Sequence, residues 1–226
     1  FELAGNIIEF TKRLIDPTAS GVKEKSIFGF ADIPYFQYFR TDVDVTHYNI
    51  IGENSSFVVR GNIGVGKAYG NSYIMPYERQ FYVGGSNSLR AWRPRIIGPG
   101  ESGDSLVSNV DKMGDLLFQS SAEYRFDIVP GFFEGAFFAD AGNVWLLTKG
   151  SEFTTFNINT FYKQLAMNTG AGIRLNLSFF ILRLDWGIPL HDPREVYGDR
   201  WVIKNFFDKG WIFDRTLLSL AIGFPF

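Results

Sequence analysis

The chain contains no cysteine, and only two of its 226 residues are histidine, His47 and His191. Without thiols, neither a disulfide framework nor a thiolate metal site can form. Two isolated histidines leave little for imidazole catalysis or a metal centre, and no metal or cofactor is expected. No run of 18 apolar residues occurs, so no segment reads as a transmembrane helix. Positive charge is not in excess either. The formal net charge is −2, which argues against nucleic acid, a partner that selects a basic face. The sequence opens at Phe1 inside a strand-like pattern and reads as the C-terminal part of something longer.

Aromatic residues and glycine are abundant: 24 Phe, 10 Tyr, 5 Trp and 24 Gly. Together with β-branched residues they favour strands and turns over helices. Apolar and polar residues alternate with period two. Leu116, Phe118, Ser120, Ala122, Tyr124 and Phe126 share one face, opposite Leu117, Gln119, Ser121, Glu123, Arg125 and Asp127. From Phe180, the row Leu182, Leu184, Trp186 and Ile188 opposes Ile181, Arg183, Asp185 and Gly187. Eight strands are expected, at about 1–12, 36–50, 56–69, 115–128, 131–147, 166–178, 179–190 and 215–226. Most exceed the roughly five or six residues usual in soluble sheets, and reach the roughly ten that a tilted strand needs to cross a bilayer.

Long connections (about 13–35, 70–114, 148–165 and 191–214) alternate with short ones (51–55, Val129-Pro130, and almost nothing at Ser178-Phe179). Long loops on one side and tight turns on the other are the pattern of an up-and-down membrane barrel. A soluble sandwich explains the alternation but neither the strand length nor the loop asymmetry. The expected fold is therefore an all-β, transmembrane, antiparallel up-and-down β-barrel. Phe118, Tyr124, Ile173, Leu175, Leu182, Leu184 and Trp186 are expected to face lipid, and Gln119, Arg125, Asn176 and Asp185 the lumen. Among inward carboxylates, Glu123, Glu134, Asp140 and Asp185 read as ion-pair partners of Arg60, Arg125, Arg174 and Arg183 rather than as a hydrolytic pair. Gly64, Gly66, Gly170 and Gly172 recur on inner faces, where they allow close backbone approach. His47, on the apolar face, and His191, just past a strand, read as incidental and without partners.

The stretch Phe81–Gly100, FYVGGSNSLRAWRPRIIGPG, stands apart from this pattern. Gly84-Gly85 and Gly98-Pro99-Gly100 bracket it with turn chemistry, and Arg90, Arg93 and Arg95 lie between. A solvated basic loop is the plain reading of such a cluster. Against it, a connection of about 45 residues is usually functional; it has no room inside an eight-stranded barrel, whose interior side chains just fill, but a larger barrel could take it.

FYVGGSNSLRAW resembles the sixth extracellular loop of the BamA/TamA superfamily of outer-membrane assembly and transport barrels. Leu89, Arg90, Ala91 and Trp92 stand at that family's VRGF/VRGY motif, with Ala91 in place of its glycine. Phe137-Phe138-Ala139-Asp140-Ala141-Gly142-Asn143-Val144-Trp145 resembles the family's F-x-D-A-G-x-x-W strand. Ile222, Gly223, Phe224 and Phe226 resemble its C-terminal strand signal, with Pro225 unusual there. The resemblance is closest in flavour to TamA-like and TamL-like members.

The resemblance implies that residues 1–226 are the last eight strands of a sixteen-stranded barrel domain in the outer membrane of Gram-negative bacteria, bearing the motif loop at about 70–114. It implies upstream POTRA domains. The function it implies is insertion of other β-barrels, or movement of protein or lipid across that membrane, without catalysis. Implied partners are outer-membrane lipid, client outer-membrane proteins, and periplasmic or lipoprotein accessory subunits. A passive porin, a two-partner secretion pore and the barrel anchor of a membrane-bound lipase remain alternatives. On the same grounds Arg90 is expected to enter the lumen and pair with Glu123 and Asp140, at less than the full cost of a buried pair because the lumen is wet. Arg93 and Arg95 are expected outside.

Overall fold

The computed structural model describes residues 1–6, 35–70, 72–102, 112–147, 154–195 and 198–226. Eight strands follow in chain order: β1 (Glu2–Ala4), β2 (Tyr38–Gly52), β3 (Ser55–Ala68), β4 (Leu116–Val129), β5 (Phe133–Trp145), β6 (Ala166–Asn176), β7 (Ile181–His191) and β8 (Leu217–Ile222). They form one sheet whose strand order is the chain order. The pairings of β1 with β2 and of β4 through β8 in succession are all antiparallel. The expected antiparallel up-and-down architecture is therefore present. Single-turn helices at Phe161–Gln164, Val202–Asn205 and Trp211–Arg215 sit in the long connections.

By their contacts, the residues divide into two compact units. The first comprises Phe1–Asp42 and Gly64–Gln80. There β1 pairs with the start of β2, Leu3 opposite Phe39, and the Tyr38 hydroxyl donates to Glu2 at 2.5 Å. The second comprises Val43–Ile63 and Phe81–Phe226 and carries the site discussed below.

Two strand ends differ from expectation. β1 spans three residues, and residues 7–12 of the expected first strand lie outside those described. β8 begins at Leu217 and stops at Ile222, where a strand over 215–226 was expected. The cause is local: Gly223 has φ +83°, which turns the chain out of the strand direction while its N–H still donates to Ile181 O at 2.8 Å. Pro225, with no N–H, could not have continued the ladder.

Side-chain parity follows the sequence. Tyr124, Ile173 and Trp186 are exposed on the outer face, while Gln119, Arg125 and Asp185 are buried on the inner one. Asn176, at the end of β6, is half-buried. On the second unit's outer face, Val43, Val45, Phe57, Val59, Phe137, Leu218 and Leu220 are also exposed. An outward apolar band with a charged interior inverts the soluble arrangement and suits lipid contact. The β6–β7 turn is longer than expected. Leu177 through Phe180 make it, with Ser178 at φ 69° and its N–H on Asn176 Oδ1 at 3.0 Å.

The loop between β3 and β4 does not hang free. Phe81, Val83, Leu89, Ala91, Trp92 and Ile97 are buried with Leu117, Val144 and Ala166 of the wall. Its N- and C-terminal ends are tied by a mutual bridge of Phe81 and Gly114. The loop is thus a packed plug with an apolar core, and the plain reading of a solvated basic loop does not hold for Phe81–Ile97.

Candidate functional site

Arg90 lies at the centre of the plug's contact with the wall. Its Nε donates to Asp140 Oδ2 at 3.0 Å and its Nη2 to Asp140 Oδ1 at 2.8 Å. Its Nη1 donates to Glu123 Oε2 at 2.5 Å, and its backbone N–H reaches Asp140 Oδ2 at 3.3 Å. The guanidinium also lies 3.5 Å from the centroid of the Phe138 ring. A planar fork on one carboxylate, a third bond to another and an aromatic beneath is a geometry that Lys cannot reproduce.

The wall residues reach these positions by strand parity and register. Asp140 lies on the inward side of β5 with Ala136 and Phe138, and Ser121 of β4 is its cross-strand neighbour. Glu123 sits one inward step from Ser121 on β4. On the other side Asn168 of β6 pairs with Asp140 in register and donates Nδ2 to its Oδ2 at 2.9 Å.

Glu123 is itself shared. Its Oε1 accepts from Arg125 Nε at 2.7 Å and Arg174 Nη2 at 3.1 Å. Asp185 stands 3.2 Å from Arg174 Nη2 and 2.9 Å from Arg183 Nε, as ion-pair contacts rather than aligned hydrogen bonds. Arg90 is 1% exposed, and the side chains of Glu123 and Asp140 are fully buried. The expectation of a wet, weak pair is therefore corrected, because the plug and the wall exclude solvent here. Removing one member of such a buried pair costs roughly 3–5 kcal/mol, since it strands a charge.

Of the ion pairs expected for the wall, Arg125–Glu123, Arg174–Glu123, Arg174–Asp185 and Arg183–Asp185 form. Arg60 instead takes Asp44, and Glu134 faces Asp127 across the β4–β5 pair. Arg60 and Arg183 also reach the plug. Arg60 Nη1 donates to Asn87 O at 3.0 Å, and Arg183 Nη2 donates to Ser86 O and Asn87 Oδ1, each at 2.8 Å. The Ser88 hydroxyl bonds Gln119 Oε1 at 2.9 Å. Residues 86–90 are therefore gripped by side chains from β3, β4, β5 and β7. Downstream, Asn143 Nδ2 donates to Gly100 O at 2.8 Å and Gly100 N–H donates to Val144 O at 2.8 Å, so β5 holds both ends of Arg90–Gly100.

Gly187 makes this grip possible and was not singled out in the sequence. A Cβ there would lie 2.5 Å from Arg90 O and 2.7 Å from Ala91 N. The loop backbone lies flat on β7 because β7 offers no side chain at that point.

The remaining motif residues separate. Leu89, Ala91 and Trp92 are buried in the plug's own core. Arg93 is exposed as expected. Arg95 is half-buried, with its guanidinium 4.7 Å from the Tyr82 centroid and its carbonyl accepting from Lys112 N–H at 3.0 Å. Ile222 is the last residue of β8, while Gly223, Phe224 and Phe226 lie beyond it. Phe224 packs 4.4 Å beneath Arg125, and the Phe226 ring lies 5.7–5.9 Å from the guanidinium carbons of Arg60, Arg90 and Arg125. His191 is not incidental. Its Nδ1 meets Leu165 O at 2.6 Å and its ring packs edge-on against Trp201. Among the described residues no group of three or more His, Cys, Asp or Glu is placed to hold a metal ion.

On the loop side, Glu101 accepts from Arg200 Nη2 at 2.7 Å. Burial acts to raise the Glu101 carboxyl, but the Arg200 bond and charge outweigh it and hold it below the usual range.

Residues 26–206 match the Omp85 superfamily domain. Over 114 residues, 48% of this chain, it is 27% identical to the outer membrane protein assembly factor BamA of Neisseria meningitidis serogroup B. It spans 14% of that protein's length. The fold is similar to that of BamA from Haemophilus ducreyi lacking POTRA domains 1-3, with a TM-score of 0.56 and 16% identity, covering 81% of this chain and 35% of that one. CdiB from Acinetobacter baumannii aligns with a TM-score of 0.47 and 14% identity, over 83% of this chain and 27% of the other. With the family match running from the connection after β1 through the plug loop and past β7, the chain belongs to the Omp85 superfamily of Gram-negative outer-membrane β-barrel proteins.

Proposed function

We propose that this chain is the C-terminal half of a sixteen-stranded outer-membrane barrel that assembles or translocates client outer-membrane proteins, with periplasmic or lipoprotein subunits as its accessories. The observation that carries the reading is the short pairing of β8 with β7. β8 pairs with β7 over only six positions, Leu217 to Ile222, before the chain turns away at Gly223. A strand paired over so short a length separates easily and then offers main-chain donors and acceptors to an incoming strand. The name of the Neisseria relative, an outer membrane protein assembly factor, supports the same reading. The plug works against a passive porin, because residues 81–100 occupy space an open channel needs. In this scheme the Arg90 clamp holds the plug against one wall, so that the edge opens without the loop collapsing through it.

The test is site-specific cross-linking in the full-length protein. Cysteines at Leu217 or Ser219 of β8 are expected to form disulfides with the terminal strand of a stalled client, in a two-residue periodicity. Cross-links confined to periplasmic residues, with none along β8, would reject edge templating.

A further inference from the structure

At the loop end of β6 and β7 lies a cavity that the clamp does not use. It has a volume of about 480 Å³, within the range of small-molecule sites, and is lined by Tyr162, Lys163, Met167, His191, Arg200 and Trp201, with Gly198 at its rim. Met167 and His191 are register partners at the top of the two strands, just above a shift in the ladder between Met167 and Asn168. Met167 continues the outward row of Thr169, Ala171 and Ile173, so this wall of the cleft is an extension of the lipid-facing surface. The opposite wall is Trp201, whose ring centroid lies 5.1 Å from that of His191. With His191 Nδ1 engaged by the Leu165 carbonyl, that nitrogen carries a proton and the ring orientation is fixed.

Charge is distributed unevenly over this cleft. Arg200 is fixed through its Nη2 bond to Glu101 and its Nε bond to Glu195 O. Lys163 is exposed at the mouth, with its ammonium 5.8 Å from the Tyr162 ring. In the β7–β8 connection that carries Arg200 and Trp201, Phe207 and Phe213 are 94% and 91% exposed. Exposed aromatic rings beside lysines, at the end of a lipid-facing band, are the composition of a membrane–water interface.

We propose that this cleft binds a phosphorylated lipid of the outer leaflet, the phosphate on Lys163 and an acyl chain along Met167 and Trp201. Basic pockets beside membrane-spanning elements take anionic headgroups. A free phosphate would satisfy Lys163 but would have no use for an aromatic and thioether wall, and the continuity of that wall with the lipid face selects the lipid. This site is separate from the Arg90 clamp and does not depend on the assembly reading.

The test uses the full-length protein in phosphatidylcholine nanodiscs doped with diphosphoryl lipid A or with its dephosphorylated form, and native mass spectrometry to count retained lipid. Selective retention of the diphosphoryl form is expected. Lys163→Gln should weaken it about fivefold, the effect of one lysine near an anionic surface, while Lys163→Arg preserves it. Met167→Trp fills the cleft and should abolish retention in a protein that still shows a heat-modifiable fold. Equal retention of the dephosphorylated form would overturn the proposal. So would unchanged retention in both Lys163→Gln and Met167→Trp, or displacement of the lipid by millimolar inorganic phosphate.

Discussion

Arg90 and Asp140 meet as a two-pronged fork, Nε on Oδ2 at 3.0 Å and Nη2 on Oδ1 at 2.8 Å, with the third nitrogen on Glu123. Asp140 also accepts from Asn168, so the carboxylate is held from β6 while it holds the loop. The pairing joins a residue of the plug to the wall across fifty positions of sequence.

The fork is expected to discriminate between cations. Arg90→Lys keeps the charge but loses two of the three side-chain contacts, so it should destabilise the folded barrel by less than Arg90→Ala does. For the alanine, the loss should approach the roughly 3–5 kcal/mol of an orphaned buried pair. Urea midpoints for unfolding from detergent micelles read this order. Equal midpoints for Arg90→Lys and wild type would show that charge alone suffices.

A second expectation involves no charge. Gly187→Ala places a methyl against the Arg90–Ala91 backbone. It should release the loop much as Arg90→Ala does, seen as faster cleavage by trypsin after Arg95, which precedes Ile96. Gly61→Ala is the control, because nothing lies within 4 Å of a Cβ there. Cleavage rates that do not differ between the two glycine variants would contradict the close-approach argument.

Acid should act first on the loop end. The Glu101 carboxyl is held below its ordinary 4.5 when folded. A depressed folded value means that its stabilisation is present above that ordinary value and is lost as pH falls through the lower folded one. Loop protection near residues 101 and 200 is therefore expected to weaken only below about pH 4.5. Glu101→Gln should remove that acid dependence, as measured by amide exchange of residues 198–202. An acid transition of the same size in Glu101→Gln would assign it to another group.

Much of this arrangement is legible in the sequence. Period-two alternation gives the faces of β4, β6 and β7, because a lipid-facing row and a lumen row cannot exchange without a register slip. The same parity puts Glu123 and Asp140 inward. What is not legible depends on which residues lie opposite one another. Arg60 takes Asp44 because those two meet inside the second unit, a pairing that counting acids does not give. The plug's core was hidden because Val83, Leu89, Trp92 and Ile97 follow no period: the backbone that carries them does not repeat. Gly187 looked like one more small residue on an inner face until the loop backbone was seen against it. The end of β8 was read too long because a terminal aromatic pattern resembled a strand, whereas the turn at Gly223 carries Phe224 and Phe226 onto the lumen arginines.

In the proposed function, Arg90 holds the plug in the state that handles clients. The measurement is the rate at which full-length protein in proteoliposomes folds a client barrel, compared among wild type, Arg90→Ala and Arg93→Ala. Arg93 is the apt comparison because it is exposed on the same loop. Arg90→Ala is expected to lower the rate at least tenfold, in proportion to a clamp loss of more than about 1.4 kcal/mol, with Arg93→Ala at the wild-type rate. Equal rates for Arg90→Ala and Arg93→Ala, in proteins equally well folded, would contradict the account.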